Sequence, residues 1–100
     1  MERFDKIMGE IADFSDRTFG ENRPFTAPLH HLKKEVDEAI ESGELDEFAD
    51  MQLLLLDAFR KKFPSLKTGD LLDRCKVKIM ICEKREWGQP DENGVIEHMR

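Results

Sequence analysis

Cysteines are few in this sequence, and none belongs to a metal-binding pair. Cys75 and Cys82 are seven residues apart, which on a helix separates them by about 10 Å, beyond the reach of a disulfide. No CxxC pair accompanies them, which argues against a zinc site or a redox motif. We therefore expect two reduced thiols and a cytoplasmic location.

Long apolar runs are missing from the N-terminus, where charged residues interrupt the stretch MERFDKIMGEIADFSDRTF every few positions. This pattern is unlike a signal peptide or a membrane span, so we expect no membrane partner. Basic residues are fewer than acidic ones, 16 against 22, for a net charge of −6. That balance argues against binding a nucleic-acid polymer, and a nucleotide would need a divalent cation between its phosphates and the carboxylates.

A strand pattern is absent as well. Apolar residues recur at three- and four-residue steps, which predicts an all-α fold of about four helices in a helical bundle. Periodicity, prolines and glycines predict a first helix through Phe4 to Phe14, a loop from Arg17 to Pro28, a second helix from Thr26 or Pro28 to Ser42, a third from about Glu44 to Phe63, and a fourth from Ser65 or Thr68 to Glu86. We expect a single domain over residues 1–100, with an irregular tail over residues 86–100.

The third predicted helix is apolar on almost every side beyond Asp50, including the run from Leu53 to Leu56. A chain of 100 residues buries only a modest core and supplies too few neighbours to cover such a helix. We therefore expect a second copy of the chain to complete the bundle, in a homodimer or homotetramer.

Acidic residues form two helical pairs, one on each side of the turn at Gly43. Glu35 and Glu38 are three residues apart, and so are Glu47 and Asp50, which places each pair on one face of its helix. The two pairs lie at matching heights when they are counted from Gly43. Two antiparallel helices can thus bring four carboxylates into a single cluster.

Four carboxylates this close repel one another unless a cation neutralises them. Magnesium suits an oxygen-only cluster and is commonly completed by substrate phosphates, whereas a di-iron bundle needs Glu-x-x-His pairs that this stretch lacks. The competing interpretation is a solvated acidic face, the usual state of helical carboxylates. Asp50 and Asp57 weigh against it because apolar residues adjoin both. For Asp57, the alternative is a salt bridge to a basic residue of the fourth helix.

Five stretches carry a family likeness over nearly the whole chain: TFGENR at residues 18–23, HLKKEVDE at 31–38, EFAD at 47–50, LLLLDAFRK at 53–61 and KREWGQPDENGVIEHMR at 84–100. Together they resemble the MazG-like all-α nucleoside triphosphate pyrophosphohydrolases. The likeness is closer to the small phage and bacterial dATP/dGTP diphosphohydrolase branch, which includes MazZ-like enzymes.

The resemblance implies that Glu35, Glu38, Glu47 and Asp50 bind Mg²⁺ or Mn²⁺, with Glu38 or Glu47 as the catalytic base. It also implies that water cleaves a nucleoside triphosphate between its α- and β-phosphates, which yields the monophosphate and pyrophosphate. A purine deoxynucleotide is the substrate that this branch indicates.

The same resemblance suggests substrate contacts outside the cluster. The candidate substrate-binding residues are Lys34, Asp57, Lys78, Arg85 and Trp87. Cys82 stands where the branch carries an asparagine, and a thiol cannot replace the donors and acceptor of an amide. The alternatives are solvation or a salt bridge for the basic residues and packing for Trp87.

Two further hypotheses remain open from the sequence alone. One is a non-catalytic nucleotide-binding or partner-binding module that retains the fold, which the departure at Cys82 favours. The other is a purely structural helical dimer with a solvated acidic face, which predicts no binding of Mg²⁺ or Mn²⁺.

Overall fold

The chain forms four α-helices, as its periodicity predicts. The computed structural model describes residues 2–99, and its helices are α1 (Glu2–Phe19), α2 (Thr26–Ser42), α3 (Leu45–Lys62) and α4 (Thr68–Glu83). The bounds of α2 and α3 confirm the prediction. Helix α1 continues past Arg17 to Phe19, so the predicted loop shrinks to residues 20–25, and α4 ends three residues before Glu86. Within residues 2–99, none of these helices has the length and hydrophobicity needed to cross a membrane.

A tight turn joins α2 to α3 and packs the two helices closely against each other. Gly43 has a φ of 64°, a left-handed conformation that glycine adopts without a Cβ penalty. Its backbone N–H donates to the carbonyl oxygen of Ala39 at 2.9 Å, which closes the last turn of α2. Glu44 is extended and precedes α3 as its N-cap. The turn sets the acidic pairs of the two helices side by side.

Helix α1 packs on α3 through a small apolar core and a polar network. Ile11 of α1 and Leu56 and Ala58 of α3 are buried. Pro28 is fully buried in the first turn of α2, where a missing backbone N–H breaks no helical hydrogen bond. The network includes the ion pair between Arg60 and Asp16, and it fixes α1 over the part of α3 that follows the acidic residues.

The chain divides into two compact units. The first extends through Asp70 and contains α1 to α3, and the second begins at Leu71 and contains the rest of α4 and the tail. As far as Met99 the tail has no helix, as predicted, but it is held by backbone hydrogen bonds from Gly88 to Glu97 at 2.9 Å and from Met99 to Glu86 at 2.7 Å.

Helix α4 carries a face of apolar residues and a cysteine that this single chain leaves exposed. Leu72, Cys75 and Ile79 share that face in the sequence pattern, yet all three are exposed in this single chain. Periodicity shows which residues share a face, but it does not show what covers that face. Cys75 and Cys82 are both free thiols, as expected.

Candidate active site

Three of the four predicted metal ligands meet where α2 and α3 face each other. One carboxylate oxygen from each of Glu35, Glu47 and Asp50 lies within 4.8 Å of the others. Glu35 comes from α2 and the other two come from α3, so the turn at Gly43 brings both helices to the same height. Because Mg²⁺ and similar hard ions bind carboxylate oxygens at about 2.0–2.6 Å, a single ion can contact all three. We call Glu35, Glu47 and Asp50 the triad.

The burial of the triad fits a cation. Oε2 of Glu35 and Oε2 of Glu47 are buried and, among the described residues, accept no hydrogen bond. A buried acceptor without a partner costs about 1–3 kcal/mol, and more when it is charged. A bound cation would supply the missing partner, so the residues present fit the predicted Mg²⁺ or Mn²⁺. Asp50 is exposed rather than at the edge of the core, which leaves one side of the triad open to solvent.

Glu38 lies beside the triad, and its oxygens are not among the three that come together. When protonated, Glu38 can donate a hydrogen bond to Glu35, and this bond and the charge of Glu35 raise the pKa of Glu38. Partial burial, followed by the charges of Glu38 and Asp50, raises the pKa of Glu47. Such shifts are the physical sign of crowded carboxylates, which a cation relieves. Three of the four predicted ligands thus come together with Glu38 at their border, and metal binding by all four stays a prediction.

His31 holds the second oxygen of Glu35. Its Nε2 lies 3.1 Å from Oε1 of Glu35, and Glu35 follows His31 by one helical turn on α2. Hydrogen bonds of this kind orient metal-binding carboxylates and keep their rotamers fixed. His31 is therefore a positioning residue for the triad.

A cleft of about 920 Å³ opens beside the triad within the first unit. Glu35 and Asp50 line its acidic end, and α1 contributes much of the remaining lining. The apolar lining residues are Ile7, Ile11, Phe14, Phe19, Leu53 and Leu54. Its size lies in the range of about 300–1,000 Å³ that is typical of small-molecule sites. The cleft therefore joins an oxygen-rich end to an apolar stretch.

The contribution of α1 and of the loop that follows it to this cleft was not predicted from the sequence. Ser15, Thr18 and Arg23 line the cleft with the apolar residues, but none was among the candidate site residues. The sequence does contain a signal, because Ser15 follows Ile11 by four residues and is a polar group on the apolar stripe of α1. It is 3% exposed.

Asp57 is buried, and both of its carboxylate oxygens are occupied. Oδ2 accepts a hydrogen bond from the Ser15 hydroxyl at 2.7 Å, and Oδ1 accepts one from Nε of Arg60 at 2.8 Å. The predicted alternative, a salt bridge to a basic residue of the fourth helix, is wrong. The partner is Arg60, which lies three residues further along α3 itself. Asp57 also lines the cleft, and its predicted contact with substrate stays a prediction.

Of the other predicted substrate-binding residues, one directly precedes Glu35 in the chain and three belong to the second unit. Lys34 is exposed on α2 and is not part of the cleft lining. Lys78, Arg85 and Trp87 belong to the second unit, where Lys78 is exposed and Arg85 is half-buried. The indole N–H of Trp87 donates to the carbonyl oxygen of Cys82 at 3.0 Å, which ties the ring to the last turn of α4. Substrate contacts by these four residues stay predictions.

Comparison with known proteins identifies the family. The sequence profile of the dATP/dGTP pyrophosphohydrolase family matches residues 7–100. This chain belongs to the dATP/dGTP pyrophosphohydrolase family. Membership confirms the predicted resemblance.

Two known proteins are similar to this chain, one in sequence and one in structure. The chain is 35% identical over 97 residues to the Eaa protein of Salmonella phage P22, covering 96% of this chain and 30% of that protein. It thus spans about 30% of the length of the curated relative that it matches. The MazG-like pyrophosphohydrolase of cyanophage S-2L, solved with dGDP and three catalytic Mn²⁺ ions per active site, is similar with a TM-score of 0.72 at 24% identity. That match covers 95% of this chain and 91% of the other, and it confirms the MazG-like all-α fold.

Proposed function

We propose that this chain hydrolyses a nucleoside triphosphate between its α- and β-phosphates, releasing the monophosphate and pyrophosphate, and that the substrate is a purine deoxynucleotide. The observation that carries the proposal is the triad, whose three residues bring carboxylate oxygens within 4.8 Å of one another and include two oxygens that are buried without partners. The family description and the dGDP and Mn²⁺ bound by the cyanophage enzyme support it.

In this proposal Glu35, Glu47 and Asp50 hold Mg²⁺ or Mn²⁺. A bound ion would neutralise charge on the phosphate oxygens and lower the pKa of a water molecule. His31 keeps Glu35 oriented through their 3.1 Å contact. Glu38 is the better candidate for the base of the two predicted ones, because it borders the triad without belonging to it and keeps its oxygens available for a proton.

The shape of the cleft supports a nucleotide as ligand. The phosphates carry the charge, and the acidic end reaches them through the metal that Glu35 and Asp50 help to bind. The ring faces of the base are largely apolar, and the apolar side chains that line the cleft offer matching surface. Both halves of the ligand thus find their chemical complement in one cleft.

The test is pyrophosphate release with Mg²⁺ or Mn²⁺ over all canonical deoxynucleotides, with Mn²⁺ binding measured separately by calorimetry. Glu35→Gln and Asp50→Asn should each lower kcat/KM by about 100-fold or more and weaken Mn²⁺ binding, because each removes a ligand charge. The matched controls are Glu41→Gln and Asp46→Asn, exposed carboxylates on the same two helices. Full activity in both triad variants would refute the proposal, and nucleotide binding without turnover would favour the non-catalytic module.

We also propose that the protein works as a homo-oligomer. Large apolar side chains at the turn end of the α2–α3 hairpin are exposed in the single chain: Ile40 at 77%, Leu45 at 82% and Phe48 at 56%. An apolar cluster of this kind is typical of an interface. The cytoplasmic location and the absence of nucleic-acid and membrane partners stay predictions.

A further inference from the structure

Arg23 lies in the loop between α1 and α2 and lines the cleft. It is half-buried. Two contacts hold it: its guanidinium carbon lies 4.9 Å from the centroid of the Phe19 ring, and its Nη1 donates to the Ser15 hydroxyl at 3.4 Å. Both partners are neutral, so these contacts place the guanidinium without neutralising its charge.

Arg23 carries a positive charge in a cleft whose other charged side chains are mainly carboxylates. The charged or titratable residues that line the cleft are Glu10, Arg23, His31, Glu35, Asp50 and Asp57. Among these described lining residues, Arg23 is the one permanent cation. Within the first unit, no carboxylate oxygen of a described residue forms a salt bridge with it, whereas Asp57 is already neutralised by Arg60. A cleft that binds a polyanion therefore contains one uncommitted guanidinium.

Arg23 and the triad belong to different parts of the cleft. Asp57 follows Asp50 by seven residues on α3, a rise of about 10 Å. Ser15 contacts Asp57 at 2.7 Å, and Arg23 contacts Ser15. Arg23 therefore lies on the Asp57 side of the cleft, and Asp50 lies about two helical turns away from Asp57 along α3, so the triad and Arg23 can contact different phosphates of one ligand.

We propose that Arg23 binds the terminal phosphates of the nucleotide, which become the pyrophosphate product. This inference rests on the proposed function. The planar guanidinium offers paired N–H donors that match two phosphate oxygens, which a lysine ammonium does not. Phe19 and Ser15 position the fork before the ligand arrives, so that binding loses less side-chain entropy.

The test is a ligand series measured by calorimetry on Mn²⁺-loaded protein. The ligands are α,β-methylene dGTP, inorganic pyrophosphate and dGMP. Arg23→Gln should weaken binding of the first two by about 10-fold to 100-fold and change dGMP binding by less than about twofold. Arg23→Lys, which retains the charge without the fork, should fall between the wild type and Arg23→Gln. The control is Arg17→Gln, an exposed arginine of α1 outside the cleft lining.

The outcomes separate this inference from the proposed function. Equal weakening of dGMP and the triphosphate analogue would overturn it, because Arg23 would then contact the base, the sugar or the α-phosphate. No change with any ligand would also overturn it. Suppose that binding of the analogue depends on Arg23 but the wild-type protein releases no pyrophosphate from any canonical deoxynucleotide. That result would refute the hydrolase proposal alone. Equal thermal melting temperatures for Arg23→Lys and the wild type would show that the affinity changes do not arise from unfolding.

Discussion

The Ser15 hydroxyl donates a 2.7 Å hydrogen bond to Oδ2 of Asp57, joining α1 to α3 across 42 positions of the chain. Arg60 extends this link, because its Nε donates to Oδ1 of Asp57 and its Nη2 donates to Asp16 at 2.8 Å. Asp57 is 5% exposed, so its charge depends on these partners. The network fixes the α1 side of the cleft on the helix that carries Glu47 and Asp50.

Removing the Asp57 carboxylate charge should destabilise the fold. Loss of one partner of a buried ion pair typically costs about 3–5 kcal/mol, and Asp57→Asn should fall near 3 kcal/mol because Arg60 retains Asp16. Ser15→Ala should cost about 1 kcal/mol, since it removes one hydrogen bond. Urea unfolding measures both, with the exposed Ser65→Ala as control. An Asp57→Asn protein as stable as the wild type would show that the network is not stabilising.

The ion pair between Asp16 and Arg60 should give the fold an acid limit. The hydrogen bond from Arg60 lowers the pKa of Asp16 from its usual 3.8. Burial alone would lower the pKa of Arg60, but its hydrogen bonds to Asp16 and Asp57 outweigh burial and raise that pKa. A depressed carboxyl pKa contributes stability above the unfolded value of 3.8 that is lost as the pH falls through the folded value.

The expected result is that Asp16→Asn lowers the melting temperature at pH 6 to 7 and that the difference from the wild type shrinks as the pH falls below about 4. Asp13→Asn, an exposed carboxylate on the same helix, should show no such convergence. A constant difference between Asp16→Asn and the wild type from pH 7 to pH 2.5 would contradict the ionic origin of the effect.

The α2–α3 hairpin could be predicted because its determinants are local. The Ser42-Gly43 pair marks the turn, and counting from Gly43 places Glu35 level with Asp50. Counting cannot give the rotation of each helix about its axis, which decides that Glu38 falls outside the group of three oxygens. That rotation follows from packing between whole helices.

The cleft could not be predicted in the same way. It depends on α1 packing against α3, which pairs Ser15 with a residue 42 positions away. No short motif encodes that pairing, and the sequence alone offered only a basic residue of the fourth helix as a partner for Asp57. Arg23 was not predicted as a site residue, because the role of a loop arginine depends on the side chains beside it. Here these are the Phe19 ring and the Ser15 hydroxyl.

The left-handed turn gives a prediction about backbone strain. Gly43 has a φ of 64°, and no atom lies within 4 Å of a Cβ built there, so Gly43→Ala should cost about 1 kcal/mol from backbone conformation alone. Gly43→Asn should cost less, because asparagine tolerates this region. Gly9 is the matched control, since it lies inside α1 with equal space around it. Gly9→Ala should stabilise by about 0.5–1 kcal/mol. Opposite signs in the two alanine variants, measured by urea unfolding, are the expected result.

The exposed hairpin end gives a prediction about assembly. Leu45 and Phe48 are 82% and 56% exposed and lie three residues apart, on one face of α3. If a second copy covers them, light scattering should give a mass that is a multiple of 11.7 kDa. Leu45→Glu should then shift the mass to 11.7 kDa, because a buried unpaired carboxylate opposes association.

Leu66→Glu is the control for this change, since Leu66 is 45% exposed in the segment between α3 and α4 and lies outside the hairpin end. An unchanged mass in Leu66→Glu and a reduced mass in Leu45→Glu would locate the interface at the hairpin end. Because Glu47 lies two residues from Leu45 on α3, such an interface would adjoin the triad, and kcat should fall with the mass. A wild-type protein that stays at 11.7 kDa at high concentration would rule out the oligomer.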